Sequence, residues 1–390
     1  MTAARLPAAR TLFALPAGLA LLVGTDAGLG LLDAWPPVGS GRLGEIHGIL
    51  MVLGFVGTLV ALERAVALRR PIGYAAPALL GLGALLLVPG PTGEIGASLI
   101  TAGALALCLL YVPLWRRNRD EAVLVSALGA VCALGGALLW RGGADVSQTL
   151  PWLAGFVVLT IGGERLELAR LAMPPTAGRD LVLLGSGLAG AIVAATLWPA
   201  VGTPLLGAAL LALTSWLVRH DVSRRTINSA GLPRFAASCM LAGQAWLVVA
   251  GTIWLLAGAT VEGATYDAVV HAVFLGFTIS MIMAHAPSIL PAVTRVALPY
   301  GPVMYAPWLL LQLSLVLRLW GGDALGSELA RRIGGAGNAI ALLLFLAVVI
   351  VSAIRGVPAK PTAPPAVRTG PSSGLSTGSS AESTTQAVPW

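Results

Sequence analysis

Charge is scarce in this chain. Asp, Glu, Lys and Arg make up 11% of its 390 residues, where a soluble domain carries about 25%. A hydrated globular surface is therefore excluded. Cysteine is scarce too: Cys108, Cys132 and Cys239 are the only three, with no C-x-x-C pair. That excludes a disulfide framework and a thiolate metal site. Histidine is limited to His47, His220, His271 and His285. The net charge of +7 is spread over loops and a basic tail rather than one soluble face, so a nucleic-acid partner is not expected.

What is abundant is apolar. Hydrophobic residues make up 57% of the chain and mean hydropathy is +0.86. Runs long enough to cross a bilayer recur. They predict an all-α polytopic membrane protein with about twelve spans, at 11–32, 45–68, 74–90, 94–115, 121–140, 149–172, 180–198, 201–219, 233–257, 265–293, 302–320 and 335–354. Barrel strands would be shorter and alternating. The first run follows two arginines as a signal peptide would, but further spans follow at once, so it reads as a retained first helix. Residues 1–10 precede it as a short cytoplasmic segment. Residues 355–390, rich in Pro, Ser, Thr and Gly, read as a disordered cytoplasmic tail.

Basic residues collect after alternate spans: Arg69 and Arg70; Arg116, Arg117 and Arg119; Arg170 and Arg179; Arg219, Arg224 and Arg225. The positive-inside rule then places both termini in the cytoplasm and the chain in the inner membrane. Arg331 and Arg332 depart from the rule, on the predicted outer side between spans 11 and 12.

A repeat runs through spans 2, 6 and 10. The strings GFVGTLVALER (Gly54, Phe55, Glu63, Arg64) and GFVVLTIGGER (Gly155, Phe156, Glu164, Arg165) share one spacing, and in GFTISMIMAHA Gly276 and Phe277 precede His285 by the same interval. The matching spans lie four apart, which predicts three pseudo-symmetric arcs of four helices with spans 2, 6 and 10 innermost and their glycines in close helix contacts. Two six-helix halves would instead match span 2 with span 8.

An ionisable residue in a membrane marks a functional site. His47 and His271 stand seven and five residues before the repeated Gly54 and Gly276, at similar depth in the outer half. Two neutral imidazoles facing each other there suit the axial positions of a low-spin haem b. Arg331 and Arg332 lie where propionates would emerge. Asp267, one turn before His271, could accept the second ring proton. In the alternative reading each histidine only satisfies a neighbouring backbone group.

His285 follows His271 by fourteen residues, about 21 Å of helix on nearly the same face. His220, set in VRHDVSRR, is the only histidine left to pair with it, and a second bis-histidine haem is not expected. With Glu63 and Glu164, His285 could bind one additional metal ion or relay protons. Alternatively, Glu63–Arg64 and Glu164–Arg165 are helix-end charges that reach the inner interface.

Together these features resemble the haem–copper oxidase subunit I architecture. The local strings, His47 with Gly-Phe seven residues on and H-A-x-x-x-G from His271 to Gly276, are similar to motifs of the NnrS family. Over residues 11–354 the resemblance implies a haem-binding membrane protein, with copper as a further candidate, linked to nitric oxide metabolism or redox stress and served by a separate redox partner. The oxidase copper site is not matched: span 6 offers Glu164, and span 7 has no histidine. The second histidine and the proline-tryptophan ending of NnrS span 2 are also missing.

The main rival is a twelve-helix secondary transporter of the major facilitator type. GTLVALERAVALRR faintly resembles that superfamily's loop after its second helix. A cofactor-free assembly subunit is a third reading.

Overall fold

The computed structural model describes residues 9–34, 36–37 and 41–356. Among them there is no strand, and eleven helices are long and apolar enough to cross a membrane. In chain order they are α1 (Leu12–Leu31), α2 (Gly41–Leu68), α4 (Gly93–Asn118), α5 (Glu121–Arg141), α6 (Val146–Ala172), α7 (Ala177–Leu197), α8 (Pro199–His220), α9 (Leu232–Ala257), α10 (Gly263–Thr294), α11 (Pro302–Ala324) and α12 (Glu328–Arg355). A shorter apolar helix, α3 (Pro71–Leu87), lies between α2 and α4. This is a multi-pass helical membrane protein. The expected tail at 355–390 lies outside the described residues except for Arg355 and Gly356, as does the expected N-terminal segment except for Ala9 and Arg10.

Helix ends follow local chemistry. Asp120 accepts from Ala122 N at 2.9 Å to start α5, and Asp145 and Gln148 form a reciprocal capping box at α6, each satisfying otherwise orphan N–H groups. Ser327 caps α12 by accepting from Ala330 N. The last helix therefore begins well before the expected residue 335. Arg331 and Arg332 lie in its opening turns, not in a loop, because interfacial charges do not end a capped helix.

Three helices form the centre. In α2, α6 and α10, 72% of the most apolar window is buried inside the protein; in the other spans the share is between 22% and 56%. Sequence explains why. Gly48 of α2 faces Val146 and Gly57 faces Phe156, both on α6, while Arg165 of α6 bonds His285 of α10. The outer helices turn large side chains outward, among them Leu109, Leu183 and Ile354, as expected of faces toward lipid.

The repeated glycines are contact points. A Cβ on Gly155 would lie 2.3 Å from Ile192 of α7 and 3.2 Å from Cys132 Sγ of α5; on Gly54 it would meet Ala84 of α3 and Ala20 of α1; on Gly276 it would lie 2.3 Å from Trp246 of α9. Each central helix thus packs through its glycine on a sequence neighbour. Trp246 cannot easily yield, because its indole N–H donates to Gln312 Oε1 at 2.8 Å. Gly276→Ala is expected to destabilise by about 1–3 kcal/mol through overpacking, read as a lower melting temperature in detergent. Gly18→Ala, where nothing lies within 4 Å of the added atom, should leave it unchanged.

Two further features shape the interior. The described helices form one compact unit. And the helical turn widens to π geometry in three places: Leu50–Gly57 in α2, Ala272–Ile279 in α10 and Leu317–Ala324 in α11. Such widened turns are rare and concentrate at functional sites.

Candidate functional site

All three widened turns border one cavity. His47 stands just before the first, His271 immediately before the second, and Arg318 lies within the third. All three line a cavity of about 240 Å³ between α1, α2, α6, α10, α11 and α12. Its walls are mainly apolar, with Val52, Phe55, Leu153 and Phe274 among them.

Backbone bonds set the imidazole chemistry. His47 Nδ1 lies 2.7 Å from Gly24 O. A carbonyl can only accept, so Nδ1 carries the proton and Nε2 keeps its lone pair. His271 is arranged alike: Nδ1 lies 2.9 Å from Asp267 O and 3.1 Å from Asp267 Oδ1. Both rings are therefore anchored through Nδ1 and leave Nε2 without a protein partner among the described residues, oriented from behind as metal-binding histidines are. Close approach makes room for the first: a Cβ on Gly28 would lie 3.0 Å from His47 Cε1.

Asp267 has a second task. Arg318 grips its carboxylate twice, Nε to Oδ2 at 2.8 Å and Nη2 to Oδ1 at 2.6 Å. Arg318 is 7% exposed. It was legible in the sequence as a lone arginine in the apolar run LVLRLW, a signal that the charge pattern of the loops overshadows. Of the expected arginine pair, Arg331 lines the cavity and Arg332 is not among its lining residues. Both hold Glu328, at 2.8 and 2.7 Å.

The other expected group sits toward the opposite end of the same helices. Glu63, Glu164 and His285 line a second cavity of about 260 Å³, which shares Phe55, Val56, Thr278 and Ile279 with the first. The structure brings these three together, but each is tied to an arginine. Arg64 contacts Glu63 at 2.5 Å, Glu167 at 3.1 Å and Glu164 at 3.9 Å. Arg165 holds Asp221 through Nε at 2.7 Å and Nη2 at 3.2 Å, and Nη1 donates to His285 Nε2 at 2.8 Å. His285 Nδ1 donates to Met281 O. Both ring nitrogens of His285 are thus occupied.

Arg64 and Arg165 are only 6% and 4% exposed. The reading of these residues as helix-end charges reaching the interface is corrected: neighbouring helices bury them, and they pair within the protein. Among the described residues, no three His, Cys, Asp or Glu side chains converge to hold a metal ion.

Residues 10–354 match the family described as "Domain of unknown function (DUF8744)". The chain belongs to this family. The DUF8744 match runs from the start of α1 to the end of α12 and so includes every residue of both cavities. No curated protein matches the chain.

Proposed function

We propose that this DUF8744 protein is a haem b-binding protein of the inner membrane, built as three pseudo-symmetric arcs of four helices with both termini cytoplasmic. We assign it to electron transfer in nitric oxide or redox-stress metabolism, without an oxidase-type copper site. One observation carries the reading: two histidines, each with Nδ1 engaged by a backbone carbonyl, line one apolar-walled cavity beside a buried arginine.

The residues fit the group. His47 and His271 would be the axial ligands, Gly24 and Asp267 would orient their rings, and Arg318 and Arg331 would face the propionates. Haem held there by His47 and His271 would supply a one-electron couple for transfer with a redox partner. An additional metal ion at Glu63, Glu164 and His285 is not part of this proposal, because Arg165 already occupies the lone pair that His285 would offer.

The transporter reading is less well supported. It leaves the two cavity-lining histidines without a task. The test is a reduced-minus-oxidised spectrum of protein purified from haem-replete cells. A b-type spectrum with stoichiometric haem is expected. Colourless protein that moves a solute across vesicles would overturn the assignment.

A further inference from the structure

Where α2 and α10 end, four arginines converge away from both histidines. Arg10, Arg69, Arg70 and Arg295 line one concavity with Tyr74, and no carboxylate is among its lining residues. They come from three separate parts of the chain: the approach to α1, the α2–α3 connection and the α10–α11 connection. None of the four guanidinium groups has a hydrogen bond or ion pair with a described residue. Contrast Arg170, which lies in a basic connection but is held by Asp120 and Glu121. Loop charge alone would spread four cations apart in water, since like charges repel. Four cations lining one concavity, with no counter-ion among the described residues, give it a positive potential that favours an anion.

An apolar groove ends at the same place. The second cavity continues between α1, α10 and α12, past Gly18, Leu290, Phe345 and Val349, to Ala14 and Val293. Ala14 is one turn from Arg10, and Val293 and Thr294 directly precede Arg295. Its carboxylates, Glu63 and Glu164, lie beside Arg64 rather than at this mouth.

We infer that the four-arginine concavity binds the phosphate headgroup of an anionic phospholipid whose acyl chain lies in the groove beneath. Phosphate suits several guanidinium donors at once, and basic pockets at helix ends are built for such headgroups. A free phosphate ion would use the arginines and leave the groove without purpose; the groove selects the lipid. This inference stands apart from the haem assignment.

Native mass spectrometry of the full chain in detergent tests it, with phosphatidylglycerol, phosphatidylcholine and inorganic phosphate as probes. Phosphatidylglycerol should be retained at least tenfold better than phosphatidylcholine, and inorganic phosphate should not displace it. Arg70→Gln with Arg295→Asn should weaken retention by about fivefold for each charge removed. Asn is chosen because residue 295 has φ 61, a left-handed conformation that asparagine tolerates. Gly18→Phe leaves all four arginines and fills the groove, where nothing lies within 4 Å of an added Cβ; it should also weaken retention. Equal retention of the two lipids by the wild-type protein, displacement by inorganic phosphate, or full retention by the groove variant would each overturn the inference. These readouts hold even if the double variant fails to fold.

Discussion

Replacing either His47 or His271 by alanine is expected to abolish the haem spectrum, while His220→Ala leaves it intact. The asymmetry follows from position. His47 and His271 line the cavity, whereas His220 sits at the end of α8 and is not among its lining residues, although its Nδ1 is anchored to Trp216 O in the same way. If the proposed haem is held by these two imidazoles, removing either leaves it with one protein ligand and the apolar walls. The fold should survive, because among the described residues His47 bonds only Gly24 O, His271 bonds only Asp267 of its own helix, and both line a cavity that already has free space. Size-exclusion profile and helical circular dichroism check that point. Asp267→Asn is a milder case: it keeps the carbonyl bond to His271 but weakens the carboxylate contact, and loss of such a partner costs about 10- to 100-fold in retention of the group. If His47→Ala and His271→Ala both keep a wild-type spectrum, the axial assignment is wrong.

The second large effect is on stability. Arg165→Leu should destabilise the protein by about 3–5 kcal/mol, the cost of leaving a buried charge without its partner. Asp221 would be that charge: its side chain is 0% exposed and Arg165 is its only ion-pair partner among the described residues. His285 Nε2 would lose its donor in the same step. Three elements would come apart at one point, since the cluster joins α6, α10 and the end of α8. The double change Arg165→Leu with Asp221→Leu should recover part of the loss, because neither charge then remains buried. Recovery would be incomplete, since Asp221 Oδ1 also accepts from Ser223 N at 2.8 Å. Arg179→Ala is the control. Its pair with Asp180 is exposed, at 72% and 37% of the two side chains, and should contribute less than about 1 kcal/mol. Thermal unfolding in detergent, each variant against the wild type, gives all three values. A melting temperature for Arg165→Leu no lower than for Arg179→Ala would mean that the cluster is not what ties these helices together.

By itself, the sequence determined the solvent, the helical class and the positions of the apolar helices, because length and hydropathy decide what can cross a bilayer. It also singled out α2, α6 and α10: a glycine repeated at one spacing marks where helices approach closely, and those three helices are the most buried. His47, His271 and Asp267 were legible because an ionisable side chain within a span needs a reason to be there. What only the tertiary structure decided were the partners. Arg165 and Asp221 are far apart in the chain, and nothing local in GGERLELA or RHDVSRR shows that they meet, or that Arg165 claims the nitrogen His285 would have offered a metal ion. Arg318 reaches Asp267 because α11 packs beside α10. The three π segments have no counterpart in hydropathy, since an average over a window of residues is the same whether its turns close i→i+4 or i→i+5. Whether a buried charge is a site or a brace depends on which side chain stands opposite, and that is set by helix packing rather than by any one helix's sequence.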